Sequence, residues 1–116
     1  MKLILNTKSK TIGVVRNPFE KVVSDYYASL NYIGFDKWVV KETPEYQTLL
    51  YKDCDHIIRL EAWERDLKDL DLAPKDTSIL ESTKVVYDWR SWYTLRTRTI
   101  IAQLYHNDII TYGYTY

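Results

Sequence analysis

A short apolar stretch that leads directly into an amphipathic helix is the feature that most constrains this fold. Residues 11–15 (TIGVV) are mostly apolar and β-branched, which is typical of a strand buried on both faces. Arg16 ends the stretch, Asn17 is a good N-cap, and Pro18 suits the first helical position, where its missing N–H costs nothing. Apolar side chains then recur at the spacing of one buried helical face, at Phe19, Val22, Val23, Tyr26, Tyr27 and Leu30.

The junction between this strand and this helix is suited to binding an anion. Unpaired backbone N–H groups and the positive end of the helix dipole lie where such a helix begins. Arg16 adds a planar donor that can grip a phosphate, and Ser24, two turns along the helix, adds a hydroxyl. Glu20 occupies the position from which a capping-box acid reaches back to the Asn17 backbone. The alternative is that Arg16 pairs with a nearby carboxylate and Ser24 is a solvated helix residue.

The size and composition of the chain limit its class. With 116 residues and 46% hydrophobic content, we expect one folded domain that spans residues 1–116. No apolar run is long enough to cross a bilayer, no signal segment opens the chain, and the formal net charge is +0. We therefore expect neither a membrane nor a nucleic acid as partner, and a cytoplasmic location. Cys54 is the one cysteine, and no Cys/His cluster predicts a metal site.

The rest of the chain alternates between strand and helix patterns, which is typical of an α/β fold. Strands are predicted at residues 2–6 and 56–60, and the first can form a hairpin with residues 11–15. Helices are predicted at residues 35–42 (ended by Pro44), 45–51, 63–70 and 94–113, with an irregular segment at residues 74–91. We expect a small parallel sheet of two or three strands flanked by helices. Its exposed edge favours a homodimer or a missing companion segment.

The order of these features resembles the sulfotransferase family. In residues 14–27 (VVRNPFEKVVSDYY), Arg16 closes a strand and Ser24 follows on the helix, as in the family's 3′-phosphate-binding motif. Residues 57–61 (IIRLE) are similar to a strand and acid in the middle of the family's fold. Residues 89–114 (WRSWYTLRTRTIIAQLYHNDIITYGY) look like its closing helix, with an aromatic-Thr cap and a Gly-Tyr ending.

The resemblance implies a truncated sulfotransferase-like domain, with a P-loop NTPase-like fold, that binds 3′-phosphoadenosine 5′-phosphosulfate (PAPS). The family passes the sulfuryl group of PAPS to a hydroxyl or an amine. By resemblance, Arg16 and Ser24 hold the 3′-phosphate of this co-substrate. Asn17, Lys84 and Arg90 are weaker candidates for contacts to PAPS, and a solvated surface position is the alternative for Lys84 and Arg90.

The sequence departs from the family where the 5′-phosphosulfate is held. Only residues 1–10 precede the matching strand; they contain no glycine, and their Lys8 and Lys10 are not in the setting of a phosphate loop. No residue then visibly stabilises charge on the leaving 5′-phosphate, which is where most of the catalysis should come from. We expect a partner chain or a dimer mate to supply this half of the site.

No catalytic base is assigned from the sequence. His56 is predicted at the start of a strand and His106 late in the last helix, where a cation favours the helix dipole. Glu61 follows the carboxyl end of a strand, where α/β proteins place functional groups, but it can equally pair with Arg16 or Arg59. We therefore expect a PAPS-dependent enzyme by resemblance, without identified catalytic residues.

Two other classes of function remain open. One is a non-catalytic module that binds a nucleotide or another phosphate ligand. The other is an assembly protein that keeps the fold and uses its aromatic surface for contacts. The chain has 11 tyrosines and 4 tryptophans, and such side chains are enriched at interfaces and in ligand clefts. Sugar, steroid and protein acceptors are equally compatible with the sequence.

Overall fold

The computed structural model describes residues 1–4, 10–29, 33–41 and 45–116. The chain divides into a sheet unit, Met1–Arg16 with Leu49–Lys84, and a helical unit, Asn17–Thr48 with Val85–Tyr116. The predictions for residues 5–6, for Lys8, for Leu30 and for Pro44 lie outside the described residues. The single-domain prediction for residues 1–116 stays a prediction.

The sheet unit contains a three-stranded mixed sheet. Its strands are β1 (Lys2–Ile4), β2 (Thr11–Val15) and β3 (His56–Arg59), in the order β1-β2-β3. β2 runs parallel to β3 with Val14 opposite Ile58, which confirms the predicted parallel pair. β1 runs antiparallel to β2, which confirms the hairpin that the sequence allowed, and the sheet is therefore mixed and not wholly parallel as expected. The reason is that too few residues separate β1 from β2 for the crossover that a parallel pair needs.

The α-helices of the described residues are α1 (Pro18–Ser29), α2 (Phe35–Lys41), α3 (Gln47–Leu50), α4 (Trp63–Asp69), α5 (Ser78–Ser82), α6 (Leu95–Leu104) and α7 (His106–Tyr112). Short 3₁₀ helices lie at Leu60–Ala62 and Trp89–Trp92. The predicted irregular segment at residues 74–91 is therefore partly helical. The burial of Leu80 favours helix α5 in this segment, because its side chain is 2% exposed and packs into the apolar core of the sheet unit.

The core of the sheet unit forms around the central strand β2. Ile12 and Val14 are buried together with Leu3, Ile58, Leu60, Leu67 and Leu80. Gly13 allows an unusually close approach, because a Cβ there would lie 2.9 Å from Cδ1 of Ile57 and 2.9 Å from Cγ of Tyr51. Packing at this density leaves room only for hydrogen at position 13.

The helical unit has an aromatic-rich core. Its buried residues are Phe19, Val22, Val23, Phe35, Trp38, Val39, Trp89, Ile101 and Tyr105. The predicted inward face of α1 is confirmed for its first two turns, whereas Tyr27 is 45% exposed. α3 is shorter than the predicted helix at residues 45–51, and its last two residues, Leu49 and Leu50, are exposed.

The single helix predicted at residues 94–113 is two helices, α6 and α7, which meet at Tyr105. The predicted cap is confirmed, since Thr94 and Thr97 form a reciprocal capping box at the start of α6. The predicted stop is also confirmed, since Gly113 adopts the left-handed conformation with φ of 70°. His106 therefore begins α7, and the prediction that it lies near the end of a helix is wrong.

Candidate functional site

Two residues, Arg16 and Asn17, connect the buried end of β2 to the first turn of α1. Oδ1 of Asn17 accepts a hydrogen bond of 3.0 Å from the backbone N–H of Phe19, which confirms Asn17 as the N-cap. Nδ2 of Asn17 donates to the backbone carbonyl of Thr115 at 3.0 Å. Both ends of this amide therefore bind protein groups, and they fix where the helix begins.

The two residues that the resemblance assigns to the 3′-phosphate are both half-buried. Arg16 directly follows Val15, whose side chain is fully buried, so the strand fixes the position of the arginine backbone. Ser24 is the seventh residue of α1, about 9 Å along the helix axis from Pro18. Its hydroxyl makes no hydrogen bond to any residue in the described part of the chain. The convergence of Arg16 and Ser24 on one anion stays a prediction.

An aromatic cluster packs against the first turn of α1. The ring of Phe19 stacks on Trp89 at a centroid distance of 6.1 Å and meets the edges of Tyr93 and Tyr116 at 5.7 and 5.2 Å. The hydroxyl of Tyr93 also donates to the carbonyl of Phe19 at 2.7 Å. Burial raises the pKa of Tyr93 well above its usual range, so this phenol remains a hydrogen-bond donor.

Two arginines cover this aromatic cluster. The guanidinium carbon of Arg90, a weaker candidate for PAPS contacts, lies 4.2 Å from the centroid of Trp89 and 6.0 Å from that of Tyr116. The guanidinium carbon of Arg98 lies 4.0 Å from the centroid of Tyr116. Sequence reasoning missed Arg98, because only the fold brings this residue of α6 to Tyr116. Lys84 lies exposed in the sheet unit, after α5.

Two buried carboxylates bind backbone groups of the helical unit. Glu20 is 1% exposed and accepts a hydrogen bond of 3.0 Å from the N–H of Val86. Asp108 is fully buried and accepts from the N–H groups of Gln47 and Thr48 at 2.8 and 2.9 Å. A sequence signal for Asp108 existed, because it follows Ile101 and Tyr105 at the spacing of one buried helical face. Carboxylates held this way stabilise loop and helix ends.

The remaining titratable candidates lie on separate elements of the chain. His56 begins β3, as predicted, and is half-buried, while Glu61 is exposed in the 3₁₀ helix that follows β3. Arg59, one of the two cations considered for Glu61, pairs with Asp66 at 3.6 Å between Nε and Oδ2. Within the described ranges, no three His, Cys, Asp or Glu side chains are grouped so that they could hold a metal ion.

The comparisons with known proteins neither support nor contradict the resemblance to the sulfotransferase family. No family model matches the chain, and neither a curated protein nor a solved structure matches it. None of the helices found among the described residues has the length and apolar character that a membrane span requires.

Proposed function

We propose that this protein is sulfotransferase-like and binds the 3′-phosphate of PAPS through Arg16 and Ser24. The observation that carries the proposal is the continuous segment in which buried β2 leads through Arg16 and the capping residue Asn17 into α1. A dianionic phosphate favours such a segment, because the helix start supplies the positive end of the helix dipole. An arginine adds a bidentate donor to these groups.

Ser24 supports the proposal through its available hydroxyl. The side chain is half-buried on α1, and its hydroxyl has no hydrogen-bond partner among residues 1–4, 10–29, 33–41 and 45–116. A hydroxyl in this state can donate to a phosphate oxygen without first losing a protein partner. Binding a 3′-phosphate would distinguish PAPS from nucleotides such as AMP that lack this group.

In the proposed reaction, the S–O bond between the sulfuryl group and the 5′-phosphate of PAPS breaks. The acceptor oxygen or nitrogen forms the new bond to sulfur and loses its proton to a base, and adenosine 3′,5′-bisphosphate leaves. This chain contributes the 3′-phosphate half of the site. We propose that a partner chain or a dimer mate contributes the groups that bind the 5′ side.

A thermal-shift comparison of adenosine 3′,5′-bisphosphate with AMP tests the proposal. The bisphosphate should raise Tm by several degrees more than AMP does, because a ligand that binds only the folded state stabilises it according to its affinity. Arg16→Ala should abolish this difference between the two nucleotides, and Arg96→Ala, which removes an exposed arginine from α6, should leave it unchanged. Equal shifts with both nucleotides would contradict recognition of the 3′-phosphate.

Transfer of labelled sulfate from PAPS then separates an enzyme from a binding module. Incorporation into a hydroxyl or amine acceptor by the purified protein, alone or with its partner chain, would establish catalysis. Binding of the bisphosphate without transfer under either condition would favour the non-catalytic nucleotide-binding module.

A second candidate function is an assembly module that retains the fold. Two apolar side chains of the helical unit favour it, because Tyr87 is 99% exposed and Leu95 is 80% exposed. Sedimentation of the purified chain tests this candidate. A concentration-dependent homodimer that Tyr87→Ser and Leu95→Ser weaken would support it, and a monomer at all concentrations would contradict it.

A further inference from the structure

The ring of Tyr116 is a fixed platform in the helical unit. Its hydroxyl donates to the backbone carbonyl of Arg90 at 3.2 Å. Its ring meets Phe19, Trp89 and Tyr93 edge to face at centroid distances of 5.2, 5.3 and 5.8 Å. Since these contacts restrain the ring from several directions, a group that packs on the ring is also held in place.

Two guanidinium groups pack on this platform. Arg98 lies 4.0 Å from the Tyr116 centroid, and Arg90 lies 6.0 Å from it while also covering Trp89 at 4.2 Å. Stacking uses the face of a guanidinium and leaves the N–H donors in its plane available to an acceptor. Both arginine side chains are exposed, so those donors are accessible to a ligand.

Among the described residues, no ion pair neutralises either of these cations. In the part of the chain that the structure describes, neither Arg90 nor Arg98 lies within 4.0 Å of an acidic group, whereas Lys21, Arg59 and Arg65 do. Two like charges held on one ring repel each other, and an anion that bridges them removes that repulsion. The formal net charge of the chain is +0, so this positive region is local.

We propose that Arg90 and Arg98 form an oxyanion site on Tyr116 that binds a phosphate or sulfate ester. Planar guanidinium donors match the paired oxygens of these groups, and two of them can bind one tetrahedral anion from two sides. The site does not depend on the role proposed for Arg16 and Ser24. Arg98 was not among the candidates for PAPS contacts, and it reaches the site from α6.

Arginine side-chain NMR tests this site directly. The Nε–Hε resonances of Arg90, Arg96 and Arg98 are followed during titration with sodium sulfate or sodium phosphate, with sodium chloride at matched ionic strength as reference. We expect saturable shifts at Arg90 and Arg98 and none at Arg96, which is exposed on α6 beside Arg98 and stacks on no ring of the described residues. Arg98→Ala should weaken the binding read at Arg90 about tenfold, and Arg98→Lys should weaken it less, since lysine keeps the charge without the planar fork.

Three outcomes would overturn the proposal: shifts that do not saturate, shifts of equal size at Arg96, or unchanged binding at Arg90 in Arg98→Ala. Because Arg98→Ala also removes a stacking contact, circular dichroism verifies its fold and Arg96→Ala serves as the matched variant.

Two further titrations identify which kind of molecule carries the bound phosphate or sulfate group. Adenosine 3′,5′-bisphosphate and glucose 6-sulfate are titrated into the wild type and into Arg16→Ala. Saturable shifts at Arg98 that persist in Arg16→Ala support an independent site, even if the nucleotide proposal fails. Two results together would overturn the independent site. They are loss of the bisphosphate-induced resonance shift in Arg16→Ala, and no resonance shift with glucose 6-sulfate or with inorganic anions.

Discussion

The carboxylate of Asp108 accepts a hydrogen bond of 2.8 Å from the backbone N–H of Gln47, which lies 61 residues earlier in the chain. Its other oxygen accepts from the N–H of Thr48 at 2.9 Å. These N–H groups belong to the first turn of α3. The N–H groups of a helix's first turn have no acceptor within the helix, so they need one from elsewhere. One buried side chain of α7 therefore satisfies the start of a distant helix.

We expect Asp108→Asn to lower the free energy of unfolding by roughly 1 to 3 kcal/mol. The substitution keeps the shape of the side chain but turns an NH₂ group toward a backbone donor, so one N–H stays buried without an acceptor. Urea denaturation at neutral pH measures the loss. Asp88→Asn is the matched control, because Asp88 is exposed in the same unit. Equal effects of the two variants would refute a special role for Asp108.

We expect Gly13→Ala to destabilise the sheet unit by roughly 1 to 3 kcal/mol through overpacking. The added Cβ would lie 2.9 Å from Cδ1 of Ile57 and from Cβ of Tyr51, and the Tyr51 atom cannot move far. Thermal denaturation measures the change. Gly34→Ala is a milder comparison, because its Cβ would meet only the end of the Asp36 side chain.

A second substitution tests whether the contact with Ile57 causes the loss of stability in Gly13→Ala. Ile57→Val removes the Cδ1 atom that the added Cβ at position 13 would contact, so the double variant should be more stable than the sum of the single effects implies. Strict additivity would mean that the loss in Gly13→Ala arises from something other than this contact.

Stability should fall at alkaline pH partly because of Tyr105. Burial raises the pKa of this phenol from 10.0 to about 12, although a hydrogen bond with the backbone of Glu45 acts in the opposite direction. The folded state then holds the proton more tightly than the unfolded state, so this contribution is complete below pH 10 and is lost as pH rises toward 12.

The measurement is the free energy of unfolding at several pH values from 9 upward, in the wild type and in Tyr105→Phe. The variant should lose stability less steeply between about pH 10 and 12. Tyr87→Phe is the control, since Tyr87 is 99% exposed. Identical pH slopes in wild type and Tyr105→Phe would show that this phenol does not contribute.

Ser24→Ala should weaken binding of adenosine 3′,5′-bisphosphate about tenfold, the effect of losing one hydrogen bond to a charged group. Binding of AMP should be unaffected, because AMP has no 3′-phosphate to contact. Isothermal titration calorimetry measures both affinities. Ser29→Ala, at the exposed end of the same helix, is the control, and a similar loss there would argue against a specific role for Ser24.

Local sequence patterns predicted much of the fold. The start of α1 at Asn17 and Pro18, the N-cap at Thr94 and the stop at Gly113 all depend on neighbouring residues, and the structure confirms each of them. The parallel pairing of β2 with β3 was also predictable, because apolar strands separated by helices require a crossover. The same local reasoning produced the hypothesis for Arg16 and Ser24.

By itself, the sequence determined where several elements begin and end, because capping and turn geometry involve residues only a few positions apart. Only the tertiary structure decided what depends on distant contacts: the break at Tyr105, the burial of Asp108 against Gln47 and the stacking of Arg98 on Tyr116. Spacing along one segment can show that a side chain faces inward, but the partner it meets is set by how distant segments pack. That is why the pair of arginines on Tyr116 emerged from the fold and not from a motif.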